Sequence, residues 1–367
     1  ITANDLSKTY GTANPTLTVS YSGFVNGETR ANLTTRPAIT TTATTNSPAG
    51  AYPITANGAV DPNYTFVYVP GTLTVNPAVL TVTAMDKSKT YGANNPNLTV
   101  TYSGWVNGDT QTSLTTPATA TTTATAASPV GDYPITPAGA VNPNYAFNYV
   151  GGTLTVGQAT LTIVANTLAK TYGSPNPTLT VAYSGFVNGD TQASLLGQPI
   201  ITTTAVTGSS VGNYPITASS AYSPNYNINY LPGTLIITQV ALFISADDQT
   251  KSAGSANPTL TASYSGFVNG DTQASLTTPP TLSTTATTNS PAGTYPISVS
   301  GAVDANYSIA YAGGTMTVSS TPLTFAAIPA KTYGTADFDP GASSGSAITY
   351  TSSNPAVATI VSGNVHI

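Results

Sequence analysis

The chain has 367 residues, no cysteine, a single histidine and a net charge of −5, and only 6% of it is charged. Disulfides and thiolate metal sites are excluded, and with His366 as the sole imidazole so is a histidine-based triad or histidine metal cluster. So few cations give no basic surface to neutralise phosphates, which argues against a nucleic-acid partner, and no apolar run in this segment approaches the roughly 20 residues of a membrane span.

The sequence repeats itself every 81 residues without insertion or deletion. Tyr-Ser-Gly begins at Tyr21, Tyr102, Tyr183 and Tyr264, Tyr-Pro-Ile begins at Tyr52, Tyr133, Tyr214 and Tyr295, and an asparagine precedes Tyr64, Tyr145, Tyr226 and Tyr307. Self-similarity at a fixed period marks a tandem array. The first copy spans 1–78, and because Ile1 aligns with Val82 it is expected to lack the start of its first strand. Further copies span 79–159, 160–240 and 241–321, and 322–367 opens another unit in which Lys331-Thr332-Tyr333-Gly334 matches Lys8-Thr9-Tyr10-Gly11 before diverging. Starting and stopping partway through a module, the chain is expected to be a piece of a longer protein. A copy of this size can bury its own core, helped by its neighbours.

Within the second copy, in chain order, Leu80, Val82 and Ala84 alternate as one strand and Tyr91 to Pro96 form a turn. Leu98, Val100 and Tyr102 alternate on a second strand that ends at Asn107-Gly108, a dipeptide that favours a tight turn. Asp109 then offers an N-cap carboxylate to one helical turn reaching Leu114. The run Thr119 to Thr125 is a third strand, and Ser128-Pro129-Val130-Gly131 a turn. Strands follow around Tyr133 and Ile135, along Tyr145, Phe147 and Tyr149, and at Leu154 and Val156. Only three residues join successive copies, at Asn76-Pro77-Ala78, Gly157-Gln158-Ala159 and Thr238-Gln239-Val240, which limits swivelling. The expected fold is mainly β: a tandem array of small β-rich modules forming an elongated rod. With the helical turn, each module fits a β-grasp; without it, an immunoglobulin-like sandwich fits equally well.

Five separated motifs recur together at fixed spacing: Lys89 to Gly92, Asn95 to Thr99, Tyr102 to Thr110 (with Trp105 where other copies have Phe), Ser128 to Ile135, and Asn144 to Val156. On these the chain, from residue 1 to about 320, resembles the bacterial MBG repeat. The stretch Ile348 to Ala358 resembles bacterial immunoglobulin-like domains. The resemblance implies a large secreted or surface-displayed, adhesin-like bacterial protein, an extracellular location and no catalysis. The fourth copy departs from the pattern, with Ala253 where the others have tyrosine.

The candidate sites are repeated ones. Tyr64, Tyr145, Tyr226 and Tyr307 suit strand packing, and are also the candidates for ligand or lateral contact. Glu28, Asp109, Asp190 and Asp271 suit turn or helix capping, one carboxylate per copy being too few for calcium. Lys8, Lys89, Lys170 and Lys251 suit a charged side chain beside a polar turn; as an alternative they are candidates for intramolecular isopeptide crosslinks, which need a buried lysine of lowered pKa. No catalytic, metal or cofactor-binding residue is expected, and the chain is not expected to be an enzyme. Four near-equivalent units in series fit a non-catalytic shaft giving reach, stiffness and lateral association with neighbouring copies or chains of the same protein. The alternative is a multivalent module binding glycans or host surface proteins.

Overall fold

The computed structural model of the chain describes residues 1–343 and 348–367, so four residues of the 322–367 unit lie outside the described residues. The second repeat shows the module in full. Alternation in β1 (Ala78–Ala84) turns Ala78, Leu80, Val82 and Ala84 inward, with Leu80 and Val82 fully buried. It is followed by β2 (Lys87–Thr90), β3 (Val100–Ser103), β4 (Thr119–Thr122), β5 (Gly131–Ala138), β6 (Tyr145–Val150) and β7 (Gly152–Gly157). These strands form two sheets, ordered β6-β1-β3 and β4-β5-β7-β2.

The module is therefore a β-sandwich, and the β-grasp alternative falls away. A β-grasp needs one sheet covered by a helix, whereas here the strands divide between two sheets. The helical element is a single 3-10 turn, Gln111–Ser113, that buries none of its residues. The sequence reading also missed β2, whose Lys-Ser-Lys-Thr composition hides a strand that pairs in parallel with β7, Leu154 opposite Lys87 through Gly157 opposite Thr90.

Two chain segments change sheets. The first runs from β1 to β2 across Met85-Asp86, the last from β6 to β7 across Gly151. The side chain of Asp86 pins the two crossings together, its Oδ1 accepting the N–H of Thr153 at 2.7 Å. Asp5 does the same for Thr72 at 2.7 Å and Asp248 for Thr315 at 2.6 Å, while Thr167 Oγ1 takes the role for Thr234 at 3.3 Å.

The fourth repeat has the same two sheets, Val240–Ala246 between Tyr307–Ala312 and Ala262–Ser265, and Gln249–Ser252, Gly314–Ser319, Gly293–Ser300 and Thr281–Thr284 side by side. In the third, Leu168–Thr171, Gly233–Thr238, Gly212–Ser219 and Ile200–Thr203 form the four-stranded sheet. In the first repeat the opening strand is Thr2–Ala3, paired with Val19–Ser20. Repeats join more tightly than the three-residue estimate: Pro77, Gln158 and Gln239 are each the single residue between one repeat's last strand and the next repeat's first.

The chain divides into two compact units, one of residues 1–162, 183–199 and 220–229, the other of residues 163–182, 200–219 and 230–367. In the first, a buried cluster contains Tyr10 and Val75 together with Leu80, Leu114 and Tyr145, so repeats 1 and 2 share apolar packing. In the second, one cluster runs from Tyr172, Leu235 and Ile237 to Leu242, Tyr307 and Met316. Its last segment contributes the strand pairs Thr324–Phe325 with Ala342–Ser343 and Thr359–Val361 with Asn364–His366.

The Ala118 N–H donates to Tyr102 Oη at 2.8 Å, but the matching position in the third repeat is Pro199, which has no N–H, and Tyr183 Oη is buried without a hydrogen-bond partner.

Candidate functional site: the joint between repeats

The recurrent tyrosines and carboxylates converge where one repeat meets the next. The Tyr10 ring, at the tip of its turn, lies edge-on against Tyr145 of the second repeat, centroids 5.7 Å apart at 85°. Tyr10 Oη donates to Asp109 Oδ2 at 3.1 Å, and Tyr145 Oη donates to the same oxygen at 2.8 Å. The Val106 N–H in turn donates to Tyr145 Oη at 3.2 Å. One carboxylate oxygen thus binds a phenol from each side of the joint.

The arrangement is reproduced twice. Tyr91 meets Tyr226 at 5.6 Å and donates to Asp190 at 3.0 Å, and Tyr172 meets Tyr307 at 5.7 Å and donates to Asp271 at 3.0 Å. Tyr226 and Tyr307 each donate to their own repeat's aspartate at 2.7 Å. Hydrogen bonds to a charged acceptor contribute about 1.5–3 kcal/mol and an aromatic pair about 0.5–1.5 kcal/mol beyond its buried area.

These contacts correct the capping role expected of Asp109. The 3-10 turn is capped by Thr110, and by Thr191 and Thr272 in the next two repeats. The aspartate carboxylate instead faces the phenols, which hold it away from the free amides one residue on. Nothing in a single copy signals this, because one donor comes from the preceding copy, 99 residues earlier.

The glycine after each tyrosine closes the joint. Gly11, Gly92 and Gly173 have φ of 84°, 84° and 78°, and a Cβ there would lie 2.6, 2.4 and 2.4 Å from Val106, Val187 and Val268 of the following repeat. The valine fills the space that any other residue's Cβ would need. A backbone contact supports each joint from the neighbouring loop: the N–H groups of Ala49, Val130 and Val211 donate to Asn144, Asn225 and Asn306 Oδ1 at 2.9, 3.1 and 2.9 Å.

Burial distinguishes the four recurrent tyrosines. Tyr145, Tyr226 and Tyr307 retain 4%, 3% and 3% exposure, and burial pushes each phenol up to about 12, reinforced by the neighbouring aspartate. In the first repeat Glu28 stands in for aspartate: Tyr64 Oη donates to Glu28 Oε2 at 2.6 Å, a bond that raises its pKa. There Tyr64 is half-buried and Val25 is 59% exposed.

The four lysines hold a different loop. Lys8 Nζ donates to the carbonyls of Thr12 and Thr44, Lys89 to Ala93 and Thr125, Lys170 to Ser174 and Val206, and Lys251 to Ser255 and Thr287. Asn14, Asn95, Asn176 and Asn257 reach the adjacent carbonyls of Ala43, Ala124, Ala205 and Ala286, each at 2.6 Å. Lys8, Lys170 and Lys251 are buried, and desolvation lowers the pKa of Lys8, Lys89 and Lys170. The carbonyls surrounding each ammonium account for its position as a tie between the turn and the loop 36 residues on. Intact mass spectrometry is therefore expected to give the sequence mass; a loss of about 17 Da per repeat, one ammonia each, would instead establish an isopeptide bond.

A family model for the MBG domain (YGX type) matches residues 1–74, 80–155, 161–236 and 242–317. The chain belongs to the MBG domain (YGX type) family. Tyr-Gly is the pair that makes each joint in this MBG array, and the fourth MBG repeat, whose follower at 322–367 is not matched, carries Ala253-Gly254 instead. No curated protein matches the chain. Among solved structures, the chain is similar to the EC1-4 segment of N-cadherin from Drosophila, with 7% identity, TM-score 0.24, and 74% of this chain and 83% of that one covered. A tandem of domains from titin gives 9% identity and TM-score 0.18 over 88% and 98% of the two chains. Three N-terminal domains of the highly immunogenic outer capsid protein of bacteriophage RB49 give 12% and 0.18 over 69% and 73%.

Proposed function

We propose that the MBG array is a non-catalytic structural shaft of a secreted bacterial surface adhesin or extracellular filament. The observation that supports this most strongly is the joint itself. A one-residue linker, a shared aspartate and a Tyr-Gly turn seated against valine recur at each of three repeat boundaries. Residues recurring at such spacing are spent on holding repeats to one another, which is what a spacer requires and what an independent binding module does not.

Among the described residues no group of three or more His, Asp or Glu is placed to hold a metal, and no helix is long and apolar enough to cross a membrane. The polar, sparsely charged surface repels neighbouring shafts weakly and so permits lateral bundling. Small-angle scattering of the purified chain is expected to report a particle several times longer than it is wide, with a cross-section of one module. A compact particle would overturn the shaft.

A further inference from the structure

We propose that each repeat is a mechanical clamp, built to carry tension along the chain; this deepens the shaft reading by naming the load the shaft bears. The observation is the parallel pairing of a module's first and last segments, with both ladders in the second and fourth repeats and the same inner ladder in the first, Leu6 to Thr9 against Leu73 to Asn76, and the third, Leu168 to Thr171 against Leu235 to Thr238. In the second repeat β1 pairs with β6 from Ala78 opposite Tyr145 to Thr83 opposite Val150, and β2 pairs with β7 from Lys87 opposite Leu154 to Thr90 opposite Gly157. The fourth repeat repeats both ladders, Val240 to Ser245 against Tyr307 to Ala312, and Gln249 to Ser252 against Met316 to Ser319.

Parallel pairing decides how force is carried. The chain enters the module at the start of β1 and leaves at the end of β7, and strands that run the same way place these two points at opposite ends of the paired ladders. Tension then draws the first segment one way and the last segment the other, along their own axes. Every hydrogen bond of both ladders is loaded together, in shear, and none can break alone. Antiparallel neighbours joined by a tight turn behave differently, because pulling their free ends apart opens one residue pair at a time.

Three details fit this role. The aspartate pin, Asp86 to the Thr153 N–H, lies where both segments change sheets, so it ties together the two ladders that share the load. The single residue between repeats passes tension from one module's last strand directly into the next module's first. The side chains inward of the ladders, Leu80, Val82, Leu154 and Val156, are 0–1% exposed, so sliding the strands also exposes core.

Single-molecule pulling on the full chain tests this, and the absence of cysteine makes the attachment points unambiguous. Held at its two ends, the chain is expected to unfold in high-force steps, each releasing roughly 250 Å, since 81 extended residues span at most about 290 Å. The comparison is the same chain carrying Thr119→Cys and Ala138→Cys, kept reduced and pulled through those sites. They are opposite one another at the open end of the β4–β5 hairpin, so this direction peels. Both positions are exposed, so the substitutions leave the core intact. End-to-end unfolding is expected to need several-fold more force than peeling at equal loading rate. Equal forces in the two directions would overturn the clamp. A compact particle in scattering combined with high end-to-end force would overturn the shaft while supporting the clamp.

Discussion

Gly92→Ala is expected to weaken the joint between the second and third repeats by about 2–5 kcal/mol. Two costs add. A non-glycine residue at a φ of 84° is strained by about 1–2 kcal/mol. The new Cβ would also lie 2.4 Å from Val187 Cγ2 and 2.6 Å from its Cβ, and relieving such an overlap in a packed contact costs about 1–3 kcal/mol. Gly108→Ala separates the two, because Gly108 has a φ of 77° but no neighbour within 4 Å of an added Cβ. The readout is amide hydrogen exchange at Val187, whose N–H is held by Tyr226 Oη at 3.0 Å across the joint from Tyr91. Exchange there should accelerate strongly in Gly92→Ala and little in Gly108→Ala. Adding Val187→Gly, which removes the Cβ as well as both methyl groups, to Gly92→Ala should recover the overlap share and leave the φ strain. If both glycine variants exchange alike, valine does not close the joint.

How much of this was legible beforehand depended on whether the signal lay within one copy. Alternation of Leu80, Val82 and Ala84 exposes β1 directly, and Asn107-Gly108 marks a turn whose residues do have φ of 56° and 77°. Lys-Ser-Lys-Thr does not read as a strand because its half-buried residues are lysines, the ammonium of Lys89 reaching backbone carbonyls. The choice between one sheet and two was equally hidden, since it turns on where Asp86 and Gly151 redirect the chain and not on any strand's own pattern.

The joint was half legible. Its tyrosines, glycines, valines and aspartates were all evident as repeated residues, but Tyr10 and Asp109 lie 99 residues apart and no single-copy reading pairs them. One sequence signal does point there. Tyrosine gives way to Ala253 in the copy whose follower at 322–367 falls outside the family match, so the residue varies with its neighbour and not with its own fold. Tyr333, in the divergent unit, has the same Lys-Thr-Tyr-Gly context and a Gly334 φ of 81°, so the turn itself follows from the local sequence.

Raising the pH above 10 is expected to open the joints before neutral-pH denaturation would. In the folded chain Tyr145, Tyr226 and Tyr307 keep their protons up to about 12, chiefly because burial disfavours the phenolate, whereas a phenol in the unfolded chain ionises near 10.0. Between those values the folded form binds more protons than the unfolded form. Stability is therefore fully present below pH 10 and is lost as the pH rises towards about 12, at ~1.4 kcal/mol per pH unit for each phenol. The molecular event is specific: ionised Tyr145 has no proton to donate to Asp109, and two anions then face each other where one hydrogen bond of 2.8 Å had been. Tyrosinate absorbance followed together with circular dichroism should show a late group of phenols ionising as β-structure is lost. Tyr145→Phe should be less stable at pH 7, because Asp109 loses a donor, yet lose less stability between pH 10 and 12 than the parent chain. A Tyr145→Phe chain with an unchanged alkaline slope would show that the shared-aspartate hub does not govern the pH response.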